Sequence, residues 1–182
     1  PNLNAALVSR DAVLDHHRLR FIRQAAEALA TVHEAGFIHR DVCPRNLLVC
    51  KNREDIKLID FGLTVPATRP FMLPGNRTGT PNYMAPELVH RRPTDQRVDI
   101  FAFGVSAFEL LTGELPWTRG TTGMAAMTHD QPPADIFQYR PNLHPKLAEA
   151  IASCLVSDPT GRCPSARHFL QAIRSIKSEE VA

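Results

Sequence analysis

Long apolar runs are missing from this chain of 182 residues. No stretch approaches the roughly 18 apolar residues of a membrane span, so no membrane contact is expected from this segment. The opening stretch PNLNAALVSRD lacks the basic and apolar regions of a secretory leader. Excess charge of one sign is missing too. The formal net charge is only +2, and no Lys/Arg cluster is interleaved with aromatic residues, so a nucleic-acid partner is not expected. Cysteines are few: Cys43, Cys50, Cys154 and Cys163 form neither a C-x-x-C pair nor a zinc-ligand spacing. A soluble chain of this size needs no disulfide staples, so a reducing, cytoplasmic setting fits, any membrane anchor lying elsewhere in a longer protein. Internal repeats and low-complexity tracts are absent as well.

What is present is an ordinary globular composition, 43% apolar and 22% charged, which suits one domain with a substantial core. From Asp15 to Glu34 the apolar residues Leu19, Ile22, Ala26, Leu29 and Val32 recur at helical spacing, and Gly36 follows as a stop signal. Two short apolar runs, Leu47 to Cys50 and Ile56 to Ile59, flank the polar KNRED and predict a small antiparallel hairpin. Between Asp60 and Glu87, prolines, glycines and threonines erase any steady period, and a loop that long inside a compact domain is usually functional or mobile. DQRVDIFAFGVSAFELLTG is apolar on nearly every face and predicts a fully buried central helix ending at Gly113. LHPKLAEAIASCLV and PSARHFLQAIRSI predict amphipathic helices joined by the turn SDPTGRC, and one further short helix is expected between Thr118 and Pro133. The expected fold class is mainly α with a small β-hairpin.

The chemistry concentrates in HRDVCPRNLLV, His39 to Val49, and in IKLIDFG beyond it. Asp41 and Asn46 lie on one loop, and Asp60 opens the next loop across the hairpin. A hairpin sets its two ends side by side, so three oxygen-bearing side chains can converge. Magnesium prefers such carboxylate and amide oxygens and shares its coordination with substrate phosphates, while a separate carboxylate can take a proton from a substrate hydroxyl. A single Asp or Asn here would be an ordinary turn residue. The combination weighs more: a stray D-F-G arises in only about 2% of chains this long, and H-R-D-x-x-x-x-N far less often.

These motifs resemble the C-terminal lobe of a eukaryotic-type protein kinase of the serine/threonine class, a lobe that is part of an α+β fold in the complete domain. HRDVCPRN is similar to the catalytic loop (39–46), DFG to the magnesium motif, GTPNYMAPE to the end of the activation segment (60–87), and DIFAFG and DPTGR to features of the helical base (95–177). The resemblance runs almost end to end. It implies ATP and Mg2+ as cofactors and a protein substrate, bound near the activation segment and the short helix after Trp117. It implies Asp41 as catalytic base, Asn46 and Asp60 as magnesium ligands, and Leu48 on the floor of the adenine pocket. Glu87 would pair with Arg162, Asp99 would accept backbone hydrogen bonds from the catalytic loop, and His39 and Phe61 would stack in the core beneath the site. Arg40 would receive a phosphate carried on the activation segment, with Thr78 the first acceptor candidate, ahead of Thr64 and Thr68. Thr80 would contact Asp41. No Gly-rich loop, strand lysine or partner glutamate precedes Pro1, so the chain is expected to be half of an enzyme, with its N-terminal lobe missing.

Cys43 breaks the pattern. Serine/threonine kinases normally carry lysine there, where its ammonium neutralises the transferring phosphate. Arg45 is a candidate substitute, as in tyrosine kinases, and is counted among the catalytic residues on that basis. A cysteine beside Arg40 and Arg45 could alternatively have a lowered pKa and act in redox or metal chemistry, or be a small loop residue. Two rival functions stay open: a pseudokinase that keeps the fold for protein contacts or regulation, which the altered Cys43 favours and the intact Asp41, Asn46 and Asp60 disfavour, and a small-molecule kinase of related fold, which GTPNYMAPE disfavours. Trp117 reads as a packing anchor, and His16, His17 and His33 have no matching ligand set.

Overall fold

A computed structural model describes residues 1–75, 78–117 and 125–178. The chain is mainly helical with two small antiparallel sheets, as its periodicity predicts. Helix α1 (Leu3–Ser9) comes first, then the long α2 (Val13–Glu34). Strand β1 (Phe37–Ile38) follows, and the hairpin is β2 (Leu47–Val49) with β3 (Ile56–Leu58), Leu47 facing Leu58. The predicted pattern-free stretch holds β4 (Val65–Pro66), α3 (Arg69–Met72), a single 3-10 turn (Pro81–Tyr83) and α4 (Pro86–Val89). Helices α5 (Arg97–Thr112), α6 (Pro145–Cys154) and α7 (Ala166–Ala172) complete the base. The short helix expected between Thr118 and Pro133 lies partly outside the described residues; within them, one 3-10 turn covers Ala125–Thr128.

Helix α5 is the axle. Every residue from Val98 to Leu111 is buried, which is what an apolar pattern on all faces requires. It ends at Gly113, whose φ of 77° closes the helix in the left-handed region. Helix α2 lays its apolar stripe against α5, α7 and β3. Its polar edge also ties elements together: Arg18 donates to the Leu110 carbonyl at the end of α5, and Arg23 to the Ile173 and Ile176 carbonyls beyond α7. The Leu110 carbonyl is one of the acceptors that a helix end leaves without an intrahelical partner. Trp117 is buried, stacks on Phe101 with ring centroids 5.6 Å apart and donates to the Gln131 carbonyl at 3.0 Å, the packing role its sequence position predicts.

Two elements go beyond the periodicity. Asn2 caps α1 by accepting the Ala5 N–H at 2.9 Å, and Pro1 and Asn2 run beside β2, where Pro1 accepts the Val49 N–H at 2.9 Å. The β1–β4 pair joins Phe37 to Pro66 and Ile38 to Val65, pinning the start of the proline-rich stretch to the loop after α2. No helix among the described residues is long and apolar enough to cross a membrane.

Candidate functional site

The hairpin does what its ends require. Asp41 and Asn46 touch: the Asn46 amide donates to the Asp41 backbone carbonyl at 2.8 Å and to its Oδ2 at 3.0 Å. With Nδ2 engaged, Oδ1 of Asn46 has no protein donor among the described residues. The Ile59 N–H donates to the Asn46 carbonyl at 2.9 Å, which seats Asp60 beside the same loop. Asp60 has a φ of 64°, a left-handed conformation that Asp tolerates better than most residues, and its side chain is exposed, Oδ1 accepting the Gly62 N–H.

Asp41 is held from the other side by the proline-rich stretch. Its Oδ1 accepts the Thr80 N–H at 2.9 Å and the Thr80 hydroxyl at 2.7 Å. Gly79 makes this approach possible: its φ is 112°, and a Cβ there would lie 2.6 Å from the Arg40 carbonyl oxygen. Arg45 completes the cluster, with Nη2 at 3.1 Å from the Thr80 hydroxyl and 3.5 Å from Asp41 Oδ2. A buried carboxylate thus faces one permanent cation, two loops and a hydroxyl.

Beneath it, Asp99 organises the loop from the first turn of α5. Its carboxylate accepts the backbone N–H groups of His39 at 2.7 Å and Arg40 at 2.8 Å. His39 is fully buried; its Nδ1 accepts the Asp41 N–H, and its Nε2 donates to the Ile59 carbonyl at 3.2 Å, bridging the two loops. The strained φ of 71° at Arg40 is sustained by this network. The Arg40 guanidinium pairs with no carboxylate among the described residues.

Glu87 of α4 and Arg162 of the turn before α7 meet as a buried bidentate pair, 2.7 and 2.9 Å, sealing the end of the proline-rich stretch to the helical base. Arg162 also lies over the Phe101 ring, 5.0 Å from its centroid.

One expectation needs correction, and the surroundings of Cys43 and Thr78 become visible. Phe61 meets His39 edge-on at 5.0 Å between centroids, but it is 51% exposed and not in the core, because nothing among the described residues covers its outer face. The Cys43 thiol is not activated. Burial, then Asp41, pushes it above the ordinary thiol range, and Arg45 offsets this only in small part. Cys43 is a buried small residue, 3.9 Å from the Thr80 hydroxyl. Thr78, the first acceptor candidate, has a hydroxyl that is buried and without a hydrogen-bond partner among the described residues.

Sequence reasoning gave His33 no ligand set and no partner, and it passed over Gln96. His33 Nε2 lies 2.8 Å from Asp99 Oδ2, and Gln96 donates to the carbonyls of His33 and Phe37. The Asp99 contact spans 66 residues, and no local pattern could show it. Leu48 is 38% exposed on β2, and Phe61 and Leu63 on the following loop are likewise exposed.

A family model described as "Protein kinase domain" matches residues 2–173. The chain belongs to the protein kinase domain family. Curated kinases align with it over most of its length. It is 34% identical over 166 residues to the Xenopus tropicalis protein "Hormonally up-regulated neu tumor-associated kinase homolog", covering 88% of this chain and 23% of that one. It is 32% identical over 166 residues to "Serine/threonine-protein kinase Pkn1" of Myxococcus xanthus, covering 88% and 24%. It is 30% identical over 178 residues to "Serine/threonine-protein kinase PknA" of Mycobacterium tuberculosis, covering 97% and 40%. The kinase chain therefore spans from about a quarter to two fifths of these relatives' lengths.

Proposed function

We propose that this chain is the C-terminal lobe of a serine/threonine protein kinase, which in a two-lobe protein transfers the terminal phosphate of ATP to a protein hydroxyl. The observation that carries the reading is the Asp41 carboxylate, locked by Thr80 and Asn46 at one end of the hairpin with Asp60 at the other. Two of the relatives are named as serine/threonine kinases, which supports the substrate class. The proposed domain plan is a catalytic loop at 39–46, an activation segment at 60–87 and a helical base at 95–177. Exposed Leu48, Phe61 and Leu63 near the site are the apolar surface that a nucleotide and an N-terminal lobe would cover. Four free thiols suit a cytoplasmic setting.

The donor set fits magnesium: Asn46 Oδ1 has no donor among the described residues and the Asp60 carboxylate is exposed, both hard oxygen ligands. Mg2+ bound there would neutralise phosphate charge during transfer. Asp41 would orient the acceptor hydroxyl and take its proton at a carboxylate oxygen. Thr80, reaching Asp41 through both backbone and hydroxyl, would couple substrate position to the activation segment. Arg40, with no carboxylate partner among the described residues, is available to a phosphate on that segment. Phosphate transfer from labelled ATP to a basic protein, by a two-lobe kinase carrying this chain, is the test. Incorporation is expected with the natural sequence and its loss with Asp60→Asn; equal incorporation by both would overturn the reading.

A second reading, a pseudokinase that acts through protein contacts, is favoured by one observation: the buried, protonated Cys43 supplies no cation where the family carries lysine. In the enzyme reading Arg45 stands in, its guanidinium already beside Asp41 and Thr80. Cys43→Lys separates the two. An enzyme short of one cation is expected to gain about tenfold or more in turnover, whereas a pseudokinase stays silent in the same assay.

A further inference from the structure

Two cysteines outside the candidate site stand together at the base of the molecule. Cys154 ends α6, and Cys163 lies in the turn that leads into α7. The turn is stitched to the helix, because the Cys163 N–H donates to the Ser153 carbonyl at 2.9 Å. That contact falls one residue short of Cys154, and the two thiols lie close enough to shift each other's titration. Cys154 is fully enclosed: it packs so tightly on α5 that a Cβ at Gly104 would come within 2.6 Å of its own Cβ. Cys163 instead lines an open cavity of about 330 Å³, together with Lys146, Glu149 and His168.

We propose that Cys154 and Cys163 form a hydroperoxide-responsive dithiol, oxidised reversibly to a disulfide that ties α6 to the turn carrying Arg162. Transient disulfides of this kind are the form in which reducing compartments use them. The co-reactant is a small hydroperoxide entering from the cavity. The Cys163 thiolate attacks one peroxide oxygen and the O–O bond breaks, giving a sulfenic acid and, after protonation, one water. The Cys154 sulfur then attacks the sulfenic sulfur; the S–O bond breaks, hydroxide leaves, and the Cys154 proton converts it to a second water. Two thiols and one hydrogen peroxide give one disulfide and two waters, with two electrons passing from sulfur to oxygen.

The order of the two sulfurs follows from their surroundings. Cys163 lines the cavity whereas Cys154 is fully enclosed, and the Cys163 thiol, which donates to the Ser165 carbonyl at 3.4 Å, is pulled down to about 6, chiefly by Cys154 and against burial. Cys154 is pushed well above its ordinary value, by burial first, and so serves as the resolving thiol. The charged groups around Cys163 are Lys146 and Glu149 from α6, Arg162 from its own turn and His168 from α7. Arg162 is the neighbour of Cys163 and the anchor of Glu87, so the cross-link acts on the same turn that holds α4.

Treatment of the whole chain with hydrogen peroxide, followed by mass mapping without reductant, tests this without any phosphoryl transfer. The expected result is one Cys154–Cys163 linked peptide pair, two hydrogens lighter, which dithiothreitol reverses. Cys154→Ser is expected to halt at a Cys163 sulfenic acid trapped by dimedone. The oxidation rate is expected to level off above about pH 7 and to fall about tenfold per unit below about pH 6, since only the thiolate reacts. The proposal is overturned if the linkage involves Cys43 or Cys50, if both Cys154 and Cys163 stay reduced, or if the rate keeps climbing to about pH 9 as for an ordinary thiol.

Discussion

Asp41→Asn is expected to lower phosphate transfer by about 10²- to 10⁴-fold in a two-lobe kinase carrying this chain, the range a positioned general base contributes. The geometry makes the loss larger than that of one proton acceptor. Oδ1 of Asp41 accepts the Thr80 N–H and hydroxyl, and an amide oxygen can keep both bonds. At Oδ2 the substitution places an NH2 group against the Asn46 amide donor and the Arg45 cation. Asn46 can relieve the donor clash only by rotating its amide, which turns Oδ1 inward and removes it from the proposed magnesium ligands. Two effects are therefore expected together: a fall in turnover and a rise in the magnesium concentration needed for half-maximal activity. The fold should survive, at a loss of about 1 kcal/mol for one altered hydrogen bond, or about 2–4 °C in a chain of this size. Initial rates across a magnesium series, with a thermal melt beside them, measure all three. Unchanged turnover would remove Asp41 from the role of base.

How far these features were legible depends on how local their causes are. The long helices follow from periodicity alone: α2 and α5 start and stop within about two residues of the pattern, which is the usual ambiguity of helix ends. The hairpin follows from two apolar runs and a polar turn. Helix α1 is only 7 residues long, too short for a convincing period, and Asn2 as its cap was its one local signal. The β1–β4 pair has two residues on each strand, and no alternation can show in so short a run. Asp41, Asn46 and Asp60 were readable because their chemistry sits in fixed spacings on either side of a hairpin. The environment of a side chain is another matter. The sequence places Cys43 between two arginines and allows an activated thiol, but burial and the Asp41 carboxylate outweigh Arg45. The pairing of Cys154 with Cys163 is likewise invisible in a spacing, since it arises from a turn folding back onto the end of α6.

Arg162→Ala is expected to be the most destabilising single change considered for this protein, by about 3–5 kcal/mol, the range for breaking a buried ion pair. Its guanidinium has five N–H donors, and all five are used: two on Glu87, and one each on the carbonyls of Arg97, Val156 and Ser157. Truncation leaves the Glu87 carboxylate in the interior, only 4% exposed, with its cation gone. Glu87→Ala is expected to cost less, because the cation keeps three carbonyls and the face of Phe101. The double substitution is expected to cost less than the sum of the singles, since each single change strands the other partner and the pair is then counted twice. Arg162→Lys should not rescue, because three donors on a compact ammonium cannot satisfy a planar five-donor site. Thermal unfolding of the four variants gives the cycle, with a fall of about 6–20 °C expected for Arg162→Ala. A loss below about 1 kcal/mol would place the pair among surface-like contacts. Hydrogen exchange adds the link to function: Glu87 is the point where the proline-rich stretch returns to the base, so protection around α4 should fall before that of α5. The Asp41–Thr80 bonds and the Glu87–Arg162 pair then bracket the buried Tyr83–Pro86 segment, tying the end of that stretch to the 39–46 loop on one side and to the helical base on the other.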